Sequence, residues 1–492
     1  MFLLGLDLGS SAVKASLLDA ATGRVVASAQ SPSEEMPINA PQAGWAEQDP
    51  TVWWEHTTKA IAAVLAKADA SQVRAIGISY QMHGLVTVDA KGDVVRPAII
   101  WCDSRAVGIG AKAFAELGSK ACLGRLLNSP GNFTASKLRW VQENEPANFK
   151  RIHKIMLPGD YLALRLTGET LTTASGLSEG ALWDFSNNTP ADFLLKHWGI
   201  DSALLPALTP TFGVQAAVTP AVASALGLPA GIPVAYRAGD QPNNAFSLNV
   251  LQPGDIAATG GTSGVVYGVT DKLAYDLEQR VNSFAHVNHT ATSPHLGVLL
   301  CLNGAGILNA WVRRTLGEGM TYEKMNALAA SVPAGSDGLT VLPFGNGSER
   351  MLGNRQVGAQ WLGLDFNRHK PGHLCRAAQE GIAFAFRYGI KGMEATGLAP
   401  KRLRAGNANL FLSPIFRETL ASTLGVTIEL VSTDGAAGAA RAAGLGAEIF
   451  KTSEEAFRGL EVLATIEPNP ALTGPCSEAY DRWEKALKHA LV

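Results

Sequence analysis

The chain has 492 residues, 47% of them hydrophobic and 17% charged, with a formal net charge of −2. That length is too great for one compact core, so two large domains are expected. The near-neutral balance gives no electrostatic basis for a nucleic-acid or anionic-membrane partner, and no apolar stretch is long enough to span a bilayer.

The five cysteines (Cys102, Cys122, Cys301, Cys375 and Cys476) are odd in number and scattered, without the spacing of a zinc knuckle or redox pair. They read as reduced thiols, most of them buried, in a cytoplasmic protein. The first six residues are strand-like and lack the basic start of a secretory leader.

In chain order, residues 3–19 read as strand, Gly-Ser-Ser turn, strand. Residues 51–68 carry the period of an amphipathic helix, and residues 73–79 form a buried strand. Residues 213–233, rich in Ala, Gly and Pro, read as a connection. A domain boundary is expected close to residues 240–251. Residues 255–270 then repeat the opening pattern around Gly260-Gly261-Thr262-Ser263-Gly264. Residues 372–396 read as a long helix, 402–407 and 427–431 as strand or loop, and 434–450 as a helix of small residues. Two α/β halves with a cleft between them follow.

Four short segments carry the chemistry. Asp7 leaves an apolar strand straight into the turn Gly9-Ser10-Ser11. A carboxylate there suits magnesium, which binds hard oxygens and keeps several waters. Ser10, Ser11 and their amides would hold a phosphate, and Lys14 would offset its charge. Taken alone, the segment is equally an ordinary hairpin ending in a solvated Asp. Asp240, between Gly239 and Gln241, could take a proton from an attacking hydroxyl; alone it would instead cap a helix beginning near Asn243. Gln81-Met82-His83 ends the buried strand, and Trp101-Cys102-Asp103-Ser104-Arg105 lies at a second strand end. Singly, the histidine reads as structural and Trp101 as core. Together they mark the strand ends where ligands collect in α/β folds.

Residues 132–144 (NFTASKLRWVQEN) closely resemble the N-terminal signature of the FGGY carbohydrate kinases. Residues 359–364, followed by 373–381, are similar to the C-terminal signature, with Gln379 where an apolar residue is usual. The resemblance implies two RNase H-like domains of the actin, hexokinase and Hsp70 superfamily flanking a deep catalytic cleft. Residues 1–245 would be the sugar side and 246–492 the nucleotide side, with ATP and Mg2+ as cofactors. Gln81-Met82-His83-Gly84 has the form of the ketopentose-phosphorylating members, where glycerol kinases carry Gln-Arg-Glu.

By that likeness, Asp240 is the catalytic base, and Gln81, Met82, His83, Trp101, Asp103, Arg105 and Gln241 join it on the sugar side. Asp7 would serve the metal. Gly9, Ser10, Ser11, Lys14, Gly260, Gly261, Thr262, Ser263 and Gly306 would serve the phosphates. In the adenosine loop the family's glycines become Ala408, Asn409 and Leu410, Ser413 falls on the family serine, and Gly406 and Asn407 lie just upstream. The implied reaction is ATP-dependent phosphorylation of D-xylulose at its 5-hydroxyl, with domain closure excluding water. Its rivals are kinases of gluconate, L-ribulose, L-fuculose or a sugar alcohol, and more remotely a non-catalytic ATP-driven switch. The partners implied are a small sugar and MgATP, and a homodimer is compatible with the family.

Overall fold

The structure, a computed structural model, describes every residue from Met1 to Val492. The chain divides into two compact units. The first comprises Met1–Asn249, Phe284–Leu296 and Thr433–Leu460, and the second Val250–Ser283, Gly297–Ser432 and Glu461–Val492. The main switch falls near the expected boundary. Two later segments, Phe284–Leu296 and Thr433–Leu460, pack with the first unit.

The first unit is built on a six-stranded sheet of β1 (Phe2–Leu8), β2 (Val13–Asp19), β3 (Val25–Ser31), β4 (Val73–Tyr80), β5 (Phe212–Ala217) and β6 (Pro233–Gly239), in the order β5-β6-β4-β1-β2-β3. β1 and β2 form the expected antiparallel hairpin, while β4 runs parallel to β1 and β6 parallel to β4. The near-continuous apolar runs of β1 and β4 suit strands covered on both faces. One cover is helix α1 (Pro50–Leu65), which starts where the Asp49 carboxylate accepts from Thr51 N–H at 2.9 Å and turns Trp53, Ile61 and Val64 inward.

The other cover is the small-residue helix Gly435–Gly446, capped by Asp434. A Cβ on Gly5 of β1 would collide with the Ala436 carbonyl, and one on Gly77 of β4 with the Ala439 carbonyl. Helix and sheet backbones therefore touch, which explains the run of Gly and Ala. The segment 213–233, expected to be a connection, instead supplies most of β5 and a short helix, Pro220–Leu226. β5 is a half-exposed edge strand with an irregular register to β6, so its apolar alternation is weak.

The second unit carries a seven-stranded sheet. Its hairpin is β7 (Asp255–Gly260) and β8 (Gly264–Thr270), and β7 is followed outward by β9 (Arg402–Gly406), β10 (Thr427–Val431) and β11 (Val462–Ile466). β9 runs parallel to β7 and β10 parallel to β9, repeating the arrangement of β1, β4 and β6. No helix of the chain is long and apolar enough to cross a membrane.

Candidate active site

Three neighbouring strands of the first unit end together, and each delivers a polar residue. Asp7 lies at the end of β1, opposite Ser79 of β4 and Lys14 of β2. Ser79 donates its hydroxyl proton to Asp7 Oδ1 at 2.7 Å. Gly435, at the start of the small-residue helix, has no room for a side chain because a Cβ would strike Asp7 Oδ2. Gln81-Met82-His83 follows β4, and Gly239, paired with Tyr80, ends β6.

Asp240 is the first residue of helix α4 (Asp240–Ser247). It is therefore not the cap of a helix beginning at Asn243; Gly239 occupies the cap position, and no side chain caps this end. Asn243, one turn later, donates to the Gly435 carbonyl at 2.9 Å, tying α4 to the helix that abuts Asp7. Two carboxylates thus stand at the ends of nearby parallel strands, and part of each reaches solvent.

Loss of hydration dominates at both. Burial raises the Asp7 carboxyl above its usual range, against the pull of the Ser79 hydrogen bond and the Lys14 charge. Burial, and then the negative charge of Asp7, push Asp240 up to about 7, with hydrogen bonds from Gln241 opposing the rise. A carboxylate poised there can accept a proton at neutral pH and return it.

His83 has a left-handed backbone, φ 63°. Its ring Nδ1 lies 2.8 Å from the Glu179 carbonyl, at the end of helix α3 (Ala174–Glu179), and its ring meets Phe133 edge-on at 4.9 Å. Met82 is buried against Gly239, where a Cβ would lie 2.5 Å from Met82 Cγ and 2.7 Å from Glu179 Oε2. The Glu179 side chain was not singled out by sequence. It is 2% exposed, and burial raises its carboxyl well above the normal range, with the nearby Asp240 charge adding to the rise.

Two other expected sugar contacts, Asp103 and Arg105, are turned inward. Asp103 is 0% exposed and Arg105 is locked to it at 2.7 Å and to Glu47 at 2.7 Å, with its guanidinium 3.8 Å from the centre of the Trp45 ring. Their polar atoms are spent on one another, so they brace the loop and do not face a ligand. Gln81 is also buried and donates to Gln48 Oε1 at 3.2 Å, while Gln48 donates to the Ser10 carbonyl at 2.7 Å. Gln81 therefore supports the Gly9-Ser10-Ser11 turn from beneath. Trp101 is 52% exposed, its indole nitrogen 3.5 Å from Ser10 Oγ. Gln241 is half-buried beside Asp240.

In the second unit, the Gly260–Gly264 turn leads β7 into β8, with the Thr262 and Ser263 side chains exposed. Helix α5 (Gly306–Thr315) begins against it, Gly306 N–H donating to the Gly261 carbonyl and Ile307 N–H to the Thr262 carbonyl, both at 3.0 Å. Those amides are spent on the turn's carbonyls, so the groups this turn offers an anion are the exposed Thr262 and Ser263 hydroxyls. Gly406 and Asn407 follow at the end of β9, and Asn409, φ 54°, is exposed near Gly261. Ser413 is a correction: its hydroxyl donates to Gln379 Oε1 at 2.6 Å and caps helix α7 (Pro414–Leu424) beneath the surface. Gln379, a departure from the family pattern, thus takes up the hydroxyl of Ser413, which aligns with the family serine.

The donor set at Asp7 fits magnesium. The ion needs one or two carboxylates, with phosphates and waters completing its shell. Asp7 offers a carboxylate that still reaches solvent and is pinned on one oxygen by Ser79.

Models of the FGGY family of carbohydrate kinases match residues 2–247 (N-terminal domain) and 256–447 (C-terminal domain). A xylulose kinase of Escherichia coli (strain K12) is 32% identical over 457 residues, covering 92% of this chain and 91% of that one. Among solved structures, a xylulose kinase from Rhodospirillum rubrum superposes with a TM-score of 0.88 at 27% identity over 99% of both chains. A gluconate kinase from Lactobacillus acidophilus reaches a TM-score of 0.89 at 21% identity, covering 100% of this chain and 98% of that one, a likeness of fold alone.

Proposed function

Because the chain belongs to the FGGY family of carbohydrate kinases, we propose that it phosphorylates D-xylulose on the 5-hydroxyl with ATP in the cytoplasm. The observation that carries this reading is the placement of Asp240. A half-buried carboxylate, raised to about 7, starts a helix at the strand end beside Met82 and His83.

In the proposed reaction Asp240 accepts the hydroxyl proton while the freed oxygen attacks the γ-phosphorus. The bond from that phosphorus to the bridging oxygen breaks, and ADP leaves. Such proton removal contributes roughly a hundred- to ten-thousand-fold. Magnesium, when bound at Asp7, spreads the charge on the phosphate oxygens. Ser10, Ser11 and Lys14 serve phosphate on the first unit. Within the second unit, the Gly260–Gly264 turn is assigned to the nucleotide, with Gly406, Asn407 and Asn409 on the nucleoside side.

Met82 and His83 choose the sugar. Xylulose kinases recur among the curated relatives at about the same identity across species, which favours the ketopentose over an aldonate. The test is sugar-dependent ADP release across D-xylulose, D-ribulose, L-ribulose, L-fuculose, gluconate and glycerol. The highest kcat/KM is expected for D-xylulose, and a preference for gluconate would overturn the assignment.

A further inference from the structure

Helix α2 (Thr134–Asn144) carries one side chain at odds with its buried face. Lys137 sits among Ala135, Leu138 and Val141, and is 0% exposed. A lysine is almost never fully buried unless something holds its amine. Here Nζ donates to the His83 carbonyl at 2.8 Å and to the Ile100 carbonyl at 3.0 Å. These two carbonyls belong to different segments, the one after β4 that carries Met82 and His83, and the one that leads into Trp101.

The start of the same helix grips both segments again. Thr134 donates its hydroxyl proton to the Gly84 carbonyl at 3.2 Å, and Asn132, just ahead of the helix, donates to the Asp103 carbonyl. Six residues of chain thus make four hydrogen bonds to two strand-end loops. The loop that gains most is the one under strain. His83 is a non-glycine residue at φ 63°, a conformation that persists only where its surroundings over-determine it. Lys137 fixes its carbonyl, the Glu179 carbonyl fixes its ring, and Phe133 packs on its face.

We propose that Lys137 is a positioning residue for sugar selection, holding the His83 backbone in its left-handed state and setting the spacing between the His83 and Trp101 loops. It touches neither sugar nor nucleotide and acts through the two carbonyls. The inference rests on the reading of His83 as a sugar contact. Without the amine, both carbonyls lose a charged donor, Ile100 retaining the Asp103 N–H at 3.2 Å, and His83 can relax toward an ordinary backbone. The sugar then meets a displaced ring, while the Gly260–Gly264 turn of the second unit is untouched.

The experiment measures steady-state kinetics of the full chain for wild type, Lys137→Met, Lys137→Arg, His83→Ala and the Lys137→Met/His83→Ala double variant. Methionine keeps the length and apolar stem but removes the donors. The sugar KM of Lys137→Met is expected to rise at least tenfold and its preference for D-xylulose over D-ribulose to narrow at least fivefold, with the ATP KM within twofold of wild type. In the His83→Ala background the same change should add less than twofold, because its effect passes through His83. Lys137→Arg, which restores donors, should recover part of the sugar KM.

The ratio of kcat/KM between two sugars does not depend on how much enzyme is folded, so partial misfolding leaves the readout intact. Should Lys137→Met not fold, Lys137→Arg carries the test through the same ratio, with at least a twofold change expected. An unchanged sugar KM and preference, or full additivity with His83→Ala, would overturn the inference while leaving the kinase assignment standing. Absence of sugar-dependent turnover in the wild type would overturn both.

Discussion

In the proposed reaction two carboxylates at strand ends carry the chemistry, and each is legible in the sequence because an acidic residue interrupts an apolar run just before a glycine or helix start. The protonation of Asp240 should set the pH profile. Its folded value, about 7, lies above the ordinary carboxylate range, so the base is disabled as pH falls through that point. The sugar kcat/KM should be flat above pH 8 and fall about tenfold per unit below the inflection. Higher magnesium should move the inflection to lower pH, since a cation at Asp7 cancels the charge that raises Asp240. A profile flat to pH 5 would remove Asp240 as the titrating group.

Gly435 gives an independent probe of Asp7. Gly435→Ala would place a methyl against Asp7 Oδ2, and a misplacement of about 1 Å can cost roughly a hundredfold in rate. A loss of kcat of that order, with far-ultraviolet circular dichroism unchanged, is expected. What sequence could not supply at this scale was direction. Asp103 and Arg105 have the right chemistry for a polyol but turn inward to Glu47 and each other, a pairing set by tertiary contact. Lys137 was the converse case, its signal being a lysine on the apolar face of a helix.

Among the elements, both hairpins were readable because glycine turns separate apolar runs, and α1 because residues 51–68 carry an amphipathic period. β5 was not, since an edge strand with half its residues exposed loses the alternation that identifies a strand. The start of α7 carries a testable consequence of the bond between Ser413 and Gln379. Ser413 both caps the helix and bonds Gln379, which in turn donates to Asn326 Oδ1 at 3.0 Å. Ser413→Ala should destabilise the protein by about 1–3 kcal/mol in urea titration, combining a lost cap with a buried amide left short of a partner. If Ser413 instead served the nucleotide directly, the change would raise the ATP KM with little loss of stability.

At the scale of the whole chain, the repetition of an α/β half opening on a hairpin is legible in the sequence, but the ownership of the C-terminal segments is not. The small-residue helix lies nearly two hundred residues beyond the first unit's main stretch in sequence, yet it covers β1 and β4. Nothing local to residues 433–460 reveals that partner. A fragment of residues 1–249 should therefore lack one face of its sheet cover and fail to melt cooperatively. The same fragment joined through a flexible linker to residues 433–460 should regain a cooperative transition. A sharp melt from 1–249 alone would show that the unit closes without this helix.

The most direct test of the account compares wild type with Asp240→Asn in D-xylulose-dependent ADP release at saturating MgATP. The variant keeps the shape of the side chain and loses its basicity. The kcat of Asp240→Asn is expected to fall by about a hundredfold or more, with the sugar dissociation constant within about threefold of wild type. Turnover by Asp240→Asn close to the wild-type rate would contradict the assignment of Asp240 as base.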